Sequence, residues 1–309
     1  MYLAEKLIMY TRNHTLMRRH ECGGGVADFA RLNTPPRSIG FDFSDSRHVH
    51  LGDHLFLEPA MRACRDRGIE VVVAPGAAMR AYLHEAGYTV VDPTVVLDQE
   101  LRVSSVWMYD AMPRHERRRR FLYLNTIDHH IDGPVAEHLA AQVLRAARVD
   151  QTEPDIDGRP FLVAPGPTPL DRESGRWLVF NDAVDSGWFR VTSSDRTVLA
   201  DIAAAKRREG FRIARVGSAG DLAQRPERIG IEDLDLRGRT TVVELFRLLG
   251  SPKVVGTISF DTLVAHMGIA LDKPADIRLR RFSRRHSRFL KQYLIPPFAA
   301  GRSTSIHFH

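Results

Sequence analysis

Apolar and polar positions alternate so that short buried runs are separated by helical stripes. Ser38-Ile-Gly-Phe-Asp-Phe43, Ile69-Glu-Val-Val-Val-Ala-Pro75 and Tyr88-Thr-Val-Val91 are apolar and largely β-branched, as strands buried on both faces are. Between the first two, Leu55, Pro59, Met61 and Cys64 recur at helical spacing, with Pro59 expected to interrupt the early turns and Gly68 to close the helix. Ala77 to Ala86 reads as a short helix closed by Gly87. Ser104 to Met108 and Phe121 to Asn125 read as further strands, and His115 to Arg120 between them as a solvated charge run. Asp132 to Ala147 carries Val135, Leu139, Val143 and Leu144 on one side, the pattern of a helix. Strand–helix repetition of this kind predicts a parallel sheet with helical crossovers, an α/β domain.

From Arg148 to Arg176 the chain turns rich in Pro, Gly and Asp, which marks a domain boundary. The same rhythm then restarts with Trp177 to Asn181 as a strand, Asp195 to Glu209 as a helix, Phe211 to Ser218 as a strand entering a small-residue turn, and Thr241 to Leu249 as a helix. The expected organisation is an N-terminal extension (1–37), a first α/β domain (38–165) and a second (166–309). Two such halves leave a crevice at the carboxyl ends of their strands, the expected place for a ligand.

Within the second half, Lys253 to Thr257 predicts a buried strand, Ser259 or Asp261 the cap of a following helix, and Pro274 its stop. Leu263, Val264, Met267, Ile269 and Ala270 give that helix its apolar stripe. Thr262 and His266, one helical turn apart, face the same side. A helix that starts just beyond a parallel strand favours an anion through its free N–H groups and its dipole. An ordinary capped strand–helix unit explains the same spacing.

Charge sharpens this picture. The net charge of +6 over 309 residues is carried mainly by arginine and favours an anionic partner. Met1 to Leu32 is consistent with a basic amphipathic helix broken at Gly23, either lying on an anionic membrane or packed on the domain behind it. Arg278 to Tyr293 carries seven basic residues beside Phe282, Phe289 and Leu290, and reads as a second surface helix. No nucleic-acid partner is expected, because the arginine runs lack interleaved aromatics. No apolar run reaches the roughly 20 residues of a spanning helix. No secretory pattern opens the chain, and Cys22 and Cys64 have neither metal-site nor disulfide-framework spacing. The expected location is therefore the cytoplasm, at most at the inner face of a membrane.

Asp235-Leu-Arg-Gly-Arg-Thr-Thr-Val-Val-Glu-Leu-Phe-Arg-Leu-Leu249, the strand after it, and Ser259-Phe-Asp-Thr-Leu-Val-Ala-His-Met-Gly-Ile-Ala-Leu-Asp-Lys-Pro274 resemble the carboxyl half of the ADP-heptose:lipopolysaccharide heptosyltransferase-like family. Gly52-Asp53 followed by Pro59-Ala60, and Phe211 to Ser218, match its other segments in order. The resemblance spans roughly residues 38 to 275. It implies a GT-B architecture of two Rossmann-like domains facing a central cleft. It also implies inverting transfer from a nucleotide-sugar to a lipopolysaccharide or other surface-glycan acceptor, with no metal and no cofactor beyond the donor substrate.

Under that resemblance Asp53 is the general base, and Gly52 and His54 meet the acceptor. Asn181, Arg190, Gly217, Ser218, Asp261, Thr262 and His266 surround the donor. The chemistry suits these types: one carboxylate takes the acceptor hydroxyl proton, and fixed N–H groups or cations meet the leaving diphosphate. Taken from spacing alone, Asp53 is equally a helix cap, Asp261 a cap or a partner of a sugar hydroxyl, and His266 a donor contact or filler of the helix face. The chain departs from the family at Leu263, where the family has glycine. It also departs after Asn181, where the family's basic residue is missing and Arg190 or Arg196 would substitute. A catalytically inactive binding or scaffold protein of the same fold is the alternative reading.

Overall fold

The computed structural model describes residues 26–28, 34–44, 51–105, 121–124, 135–149, 158–184, 191–279 and 305–309. The chain divides between Phe161 and Leu162 into two units, each built on a six-stranded sheet. The domain boundary had been expected between residues 165 and 166.

In the first unit the strand order is β1 (Val26–Asp28), β6 (Phe121–Leu124), β5 (Leu101–Ser105), β2 (Ser38–Asp42), β3 (Glu70–Ala74) and β4 (Thr89–Val90). Every pairing is parallel except β1 with β6. Ile39, Phe41, Val73, Leu101 and Val103 are fully buried along the central strands, each contributing about 1.5–3 kcal/mol by leaving water. Val26–Asp28 had been assigned to the extension, yet it pairs with β6 and so belongs to the sheet. The rest of the expected N-terminal helix lies outside the described residues.

Pro59 does not interrupt its helix, which runs unbroken from Leu51 to Arg65. Proline costs a helix interior about 3 kcal/mol. Here the residues from His54 to Met61 are all buried, together with Ala63 and Cys64, and that packing offsets the lost hydrogen bond. The fifth strand starts at Leu101, three residues before the expected Ser104, and a short helix, Pro93–Val96, precedes it.

The second unit orders its strands as β12 (Ile306–Phe308), β11 (Ala275–Arg278), β10 (Val254–Phe260), β7 (Trp177–Asn181), β8 (Arg212–Arg215) and β9 (Leu234–Asp235), all parallel. Counted from β7, this is the dinucleotide-fold order in which crossovers leave the first strand in opposite directions. The switch point lies between β7 and β10. Leu178, Phe180, Ile213, Ile258 and Phe260 pack with Leu199 and Ala203 of the Ser193–Arg208 helix into one core.

Two expectations about β10 are corrected. The strand continues to Phe260, so Ser259 is a buried strand residue whose hydroxyl donates to Phe260 O at 2.8 Å. The helix after it is Leu263–Ala270, and its N-cap is Thr262 rather than Ser259 or Asp261. Arg278 ends strand β11 instead of opening a basic helix; the rest of that segment is outside the described residues. Gly268 lets the helix sit close, since a Cβ there would stand 2.8 Å from Thr257 Cγ2.

Candidate functional site

The carboxyl ends of β10, β7 and β8 lie side by side and bring together most of the residues expected at a donor. Asn181 ends β7 and is only 6% exposed. Its Nδ2 donates to Val216 O at 3.1 Å, which ties it to the chain leaving β8. Its Oδ1 faces Thr262 Oγ1 at 3.5 Å, a long contact that crosses the switch point from β7 to β10.

Thr262 has extended backbone (φ −143°, ψ 172°) and its side chain makes no cap bond to the helix it begins. The contrast with its neighbours is instructive. The Ser193–Arg208, Ala219–Gln224 and Val242–Gly250 helices each carry a complete capping box, from Thr192 with Asp195, Ser218 with Asp221, and Thr241 with Glu244. In those helices a carboxylate of the chain itself occupies the positive end of the dipole. At Leu263–Ala270 no side-chain cap fills it. Within the same turn Asp261 Oδ1 lies 2.9 Å from Nε2 of His266, which is 5% exposed and fixed in the helix by its N–H bond to Thr262 O at 3.2 Å.

Ser218 is placed beside this group, but its hydroxyl is committed: it accepts from Asp221 N at 3.1 Å and donates to Asp221 Oδ2 at 2.8 Å. Gly217 turns the chain where a Cβ would crowd Asp221 Oδ2 at 3.2 Å and Arg237 Cγ at 3.3 Å. Arg190 lies outside the described residues. Arg196, the other substitute cation, is half-buried in the first turn of the Ser193–Arg208 helix. Arg278 reaches that same helix start, donating from Nε and Nη2 to Asp195 Oδ1 at 3.2 and 3.1 Å. Hydrogen bonds from Thr192, with help from Arg278, hold the Asp195 carboxyl below its usual range.

Sequence reading missed the charge cluster beneath this edge. Asp182, next to Asn181, accepts from Arg215 Nε at Oδ1 (3.2 Å) and from Arg215 Nη2 at Oδ2 (2.9 Å), and Arg225 Nη1 also donates to Oδ2 (2.7 Å). Arg215 Nη1 reaches Glu232 Oε1 at 3.4 Å. Arg237 holds the loop between, donating to Arg225 O and to Glu227 O, and it also donates to Asp235 Oδ2 at 2.7 Å. Its N–H groups hold the Asp235 carboxyl below the usual carboxylate range. The available signal was Arg215, a charge that closes the Arg212–Arg215 strand next to Ile213 and Ala214 and needs a partner once buried there.

In the first unit Gly52 and Asp53 sit half-buried in the first turn of the Leu51–Arg65 helix, where the dipole favours a carboxylate. The expected acceptor contact of His54 is corrected. The side chain is 1% exposed, its Nε2 accepts from Gly76 N at 3.2 Å, and its ring packs edge-on to Phe43 at 5.0 Å. The helix starts earlier than expected, which turns His54 inward to hold the Gly76 turn. Among the described residues no three His, Cys, Asp or Glu side chains gather as a metal site, and no helix is long and apolar enough to cross a membrane.

Comparison by sequence with protein-family models and with curated proteins finds no match. Comparison of structures does. ADP-heptose LPS heptosyltransferase II of E. coli aligns with a TM-score of 0.55 at 11% identity, over 88% of this chain and 92% of that one. A family 9 glycosyl transferase from Veillonella parvula aligns at 0.51 and 13%, over 80% and 82%. E. coli heptosyltransferase WaaC, solved with ADP, aligns at 0.50 and 16%, over 88% and 93%. The chain has their fold. Its two Rossmann-like units are those of a GT-B glycosyltransferase architecture, and the Asn181–Thr262 contact marks the switch point of the second one.

Proposed function

We propose that the chain is an inverting, metal-independent glycosyltransferase. It moves a sugar, a heptose or a related one, from a nucleotide-sugar to a lipopolysaccharide or other surface-glycan acceptor at the inner face of a membrane. The observation that carries this reading is the second unit's switch point. There Thr262 leaves its helix without a side-chain cap and faces Asn181, so an anionic group meets free N–H groups at the positive end of a dipole. The glycosyltransferase fold of the structural relatives supports it.

In this mechanism Asp53 takes the acceptor hydroxyl proton while that oxygen bonds to the anomeric carbon. The bond from that carbon to the diphosphate breaks on the opposite face, and the nucleoside diphosphate leaves with the electron pair. The amides that open the Leu263–Ala270 helix and the Thr262 hydroxyl meet the developing charge. Asp261 lies within ion-pair distance of His266 and orients its ring at the same turn. Asn181 keeps Thr262 in register with β8.

A panel of nucleotides and nucleotide-sugars tests this by thermal unfolding. A donor at about 100 times its Kd stabilises by about 2.7 kcal/mol. If no member of the panel shifts unfolding, the reading falls. Asp53→Asn is expected to lower transfer by about 10²–10⁴-fold with donor binding kept, and retained turnover removes Asp53 as the base.

Leu263 favours a second reading, a sugar- or nucleotide-binding protein of the same fold that does not catalyse. It is half-buried at the first helical position, and a helical Cβ leans back over the helix start, where a phosphate approaches. Stabilisation by a donor without transfer to any acceptor, together with tighter donor binding by Leu263→Gly, would select it.

A further inference from the structure

A helix start supplies only about half an elementary charge, and a departing nucleoside diphosphate carries more than one. A full cation at the end of β10 would meet the remainder. Three buried or half-buried arginines of the second unit are already committed: Arg215 to Asp182 and Glu232, Arg225 to Asp182 and Asp221, and Arg237 to Asp235. Two others stand at the strand end itself.

Arg278 closes β11 in register with Phe260, the last residue of β10, and Asp261 and Thr262 follow Phe260 directly. Neighbouring strands lie about 4.8 Å apart, so Arg278 starts beside the turn that opens the Leu263–Ala270 helix. Asp195 fixes its guanidinium through Nε and Nη2, both on the one oxygen Oδ1. Nη1 has no partner among the described residues, and the side chain stays 23% exposed.

Arg196 reaches the same strand end from the Ser193–Arg208 helix. Leu199 and Ala203 of that helix share a core with Phe260, and Arg196 lies on their stripe one turn nearer the carboxyl edge. Its Nε is buried without a partner, and its guanidinium makes no hydrogen bond among the described residues. A buried N–H group left idle is unfavourable until a ligand completes it. Two guanidinium groups against the single carboxylate of Asp195 leave this corner positive.

We propose that Arg278 and Arg196 take up the charge of the leaving diphosphate, one from β11 and one from the helix after β7. The proposal rests on the donor reading above. In a sheet of this order the nucleoside half of a ligand belongs over the end of β8, so the outer phosphate falls towards β10 and β11. A guanidinium offers paired N–H groups that match two phosphate oxygens. The cation missing from the loop after Asn181 is thus supplied in part from another strand, and the pair distinguishes a nucleoside diphosphate from its monophosphate.

Titration calorimetry on the full chain tests this with ADP, GDP, UDP, CDP and dTDP, each beside its monophosphate. For the diphosphate that the wild type binds, Arg278→Gln and Arg196→Gln each weaken binding by about ten- to hundredfold, the effect of losing a charge-assisted hydrogen bond. Affinity for the matching monophosphate changes by less than about twofold. Arg278→Lys keeps the charge and recovers part of the loss. Diphosphate affinity unchanged in either glutamine variant overturns the proposal for that residue and leaves the donor reading standing. An equal loss for diphosphate and monophosphate also overturns it, since the arginine would then serve the fold. If the wild type binds none of these nucleotides, the donor reading itself falls and the proposal with it. Should Arg278→Gln unfold the chain by releasing Asp195, Arg278→Lys and Arg196→Gln carry the same comparison.

Discussion

Replacing Arg215 with methionine removes the centre of the buried charge cluster while keeping an unbranched side chain in β8. Arg215 is 1% exposed and makes two hydrogen bonds to Asp182, at 3.2 and 2.9 Å, one to Glu232 at 3.4 Å and one to Glu227 O at 3.3 Å. Without it Asp182 keeps Arg225, whose Nη1 lies 2.7 Å away and whose side chain is 26% exposed. Glu232, with a side chain 0% exposed, loses its guanidinium at ion-pair distance and, among the described residues, keeps the amide of Ile229 at 3.1 Å. Leaving one buried charge uncompensated costs about 3–5 kcal/mol. For a unit of this size that is a fall in Tm of about 6–20 °C, at about 2–4 °C per kcal/mol. Scanning calorimetry reads it as a loss confined to the second unit's transition. Adding Glu232→Gln removes the stranded charge and is expected to recover roughly half of the loss, by non-additivity between contacting sites. An Arg215→Met variant with unchanged Tm, or a double variant that loses the sum of both singles, would refute the reasoning.

Other outcomes follow from the same geometry. Gly268→Ala places a Cβ 2.8 Å from Thr257 Cγ2, a buried β-branched neighbour with no room to move. It should destabilise by about 1–3 kcal/mol and weaken donor binding as the Leu263–Ala270 helix shifts, and calorimetry with the nucleotide panel checks both. The Asp235 carboxyl is held below its unfolded value by Arg237, so its contribution is fully present above about pH 4 and lost as pH falls through the native value. Arg237→Gln should flatten the acid limb of the stability curve by up to one proton, measured by denaturant titration from about pH 5 to pH 2. Burial pushes the Cys64 thiol up to about 12. Iodoacetamide at about pH 8 should leave Cys64 unlabelled until the chain unfolds, and rapid labelling of the native protein would contradict its burial.

The periodic signals translated well into elements because they are local. Trp177–Asn181 is a buried apolar run and became the first strand of the second sheet with the expected bounds. Elements whose identity depends on partners did not translate. Val26–Asp28 is a strand because β6 offers it an edge, and Pro93–Val96 is too short to show a helical stripe. Pro59 lies inside a helix because the surrounding core outweighs its local preference.

The candidate site divides along the same line. Strand, turn and helix from Val254 to Pro274, and the grouping of Asp261, Thr262 and His266 within one turn, follow from residue order, because spacing along a helix sets which side chains are neighbours. Packing alone decided that Asn181 meets Thr262, since residues far apart in the chain adjoin only once β7 and β10 pair. It also decided that His54 points inward and that Asp182 is bound by Arg215 and Arg225. A side chain's direction and its competing partners are properties of the assembled sheet edge, and no periodicity encodes them.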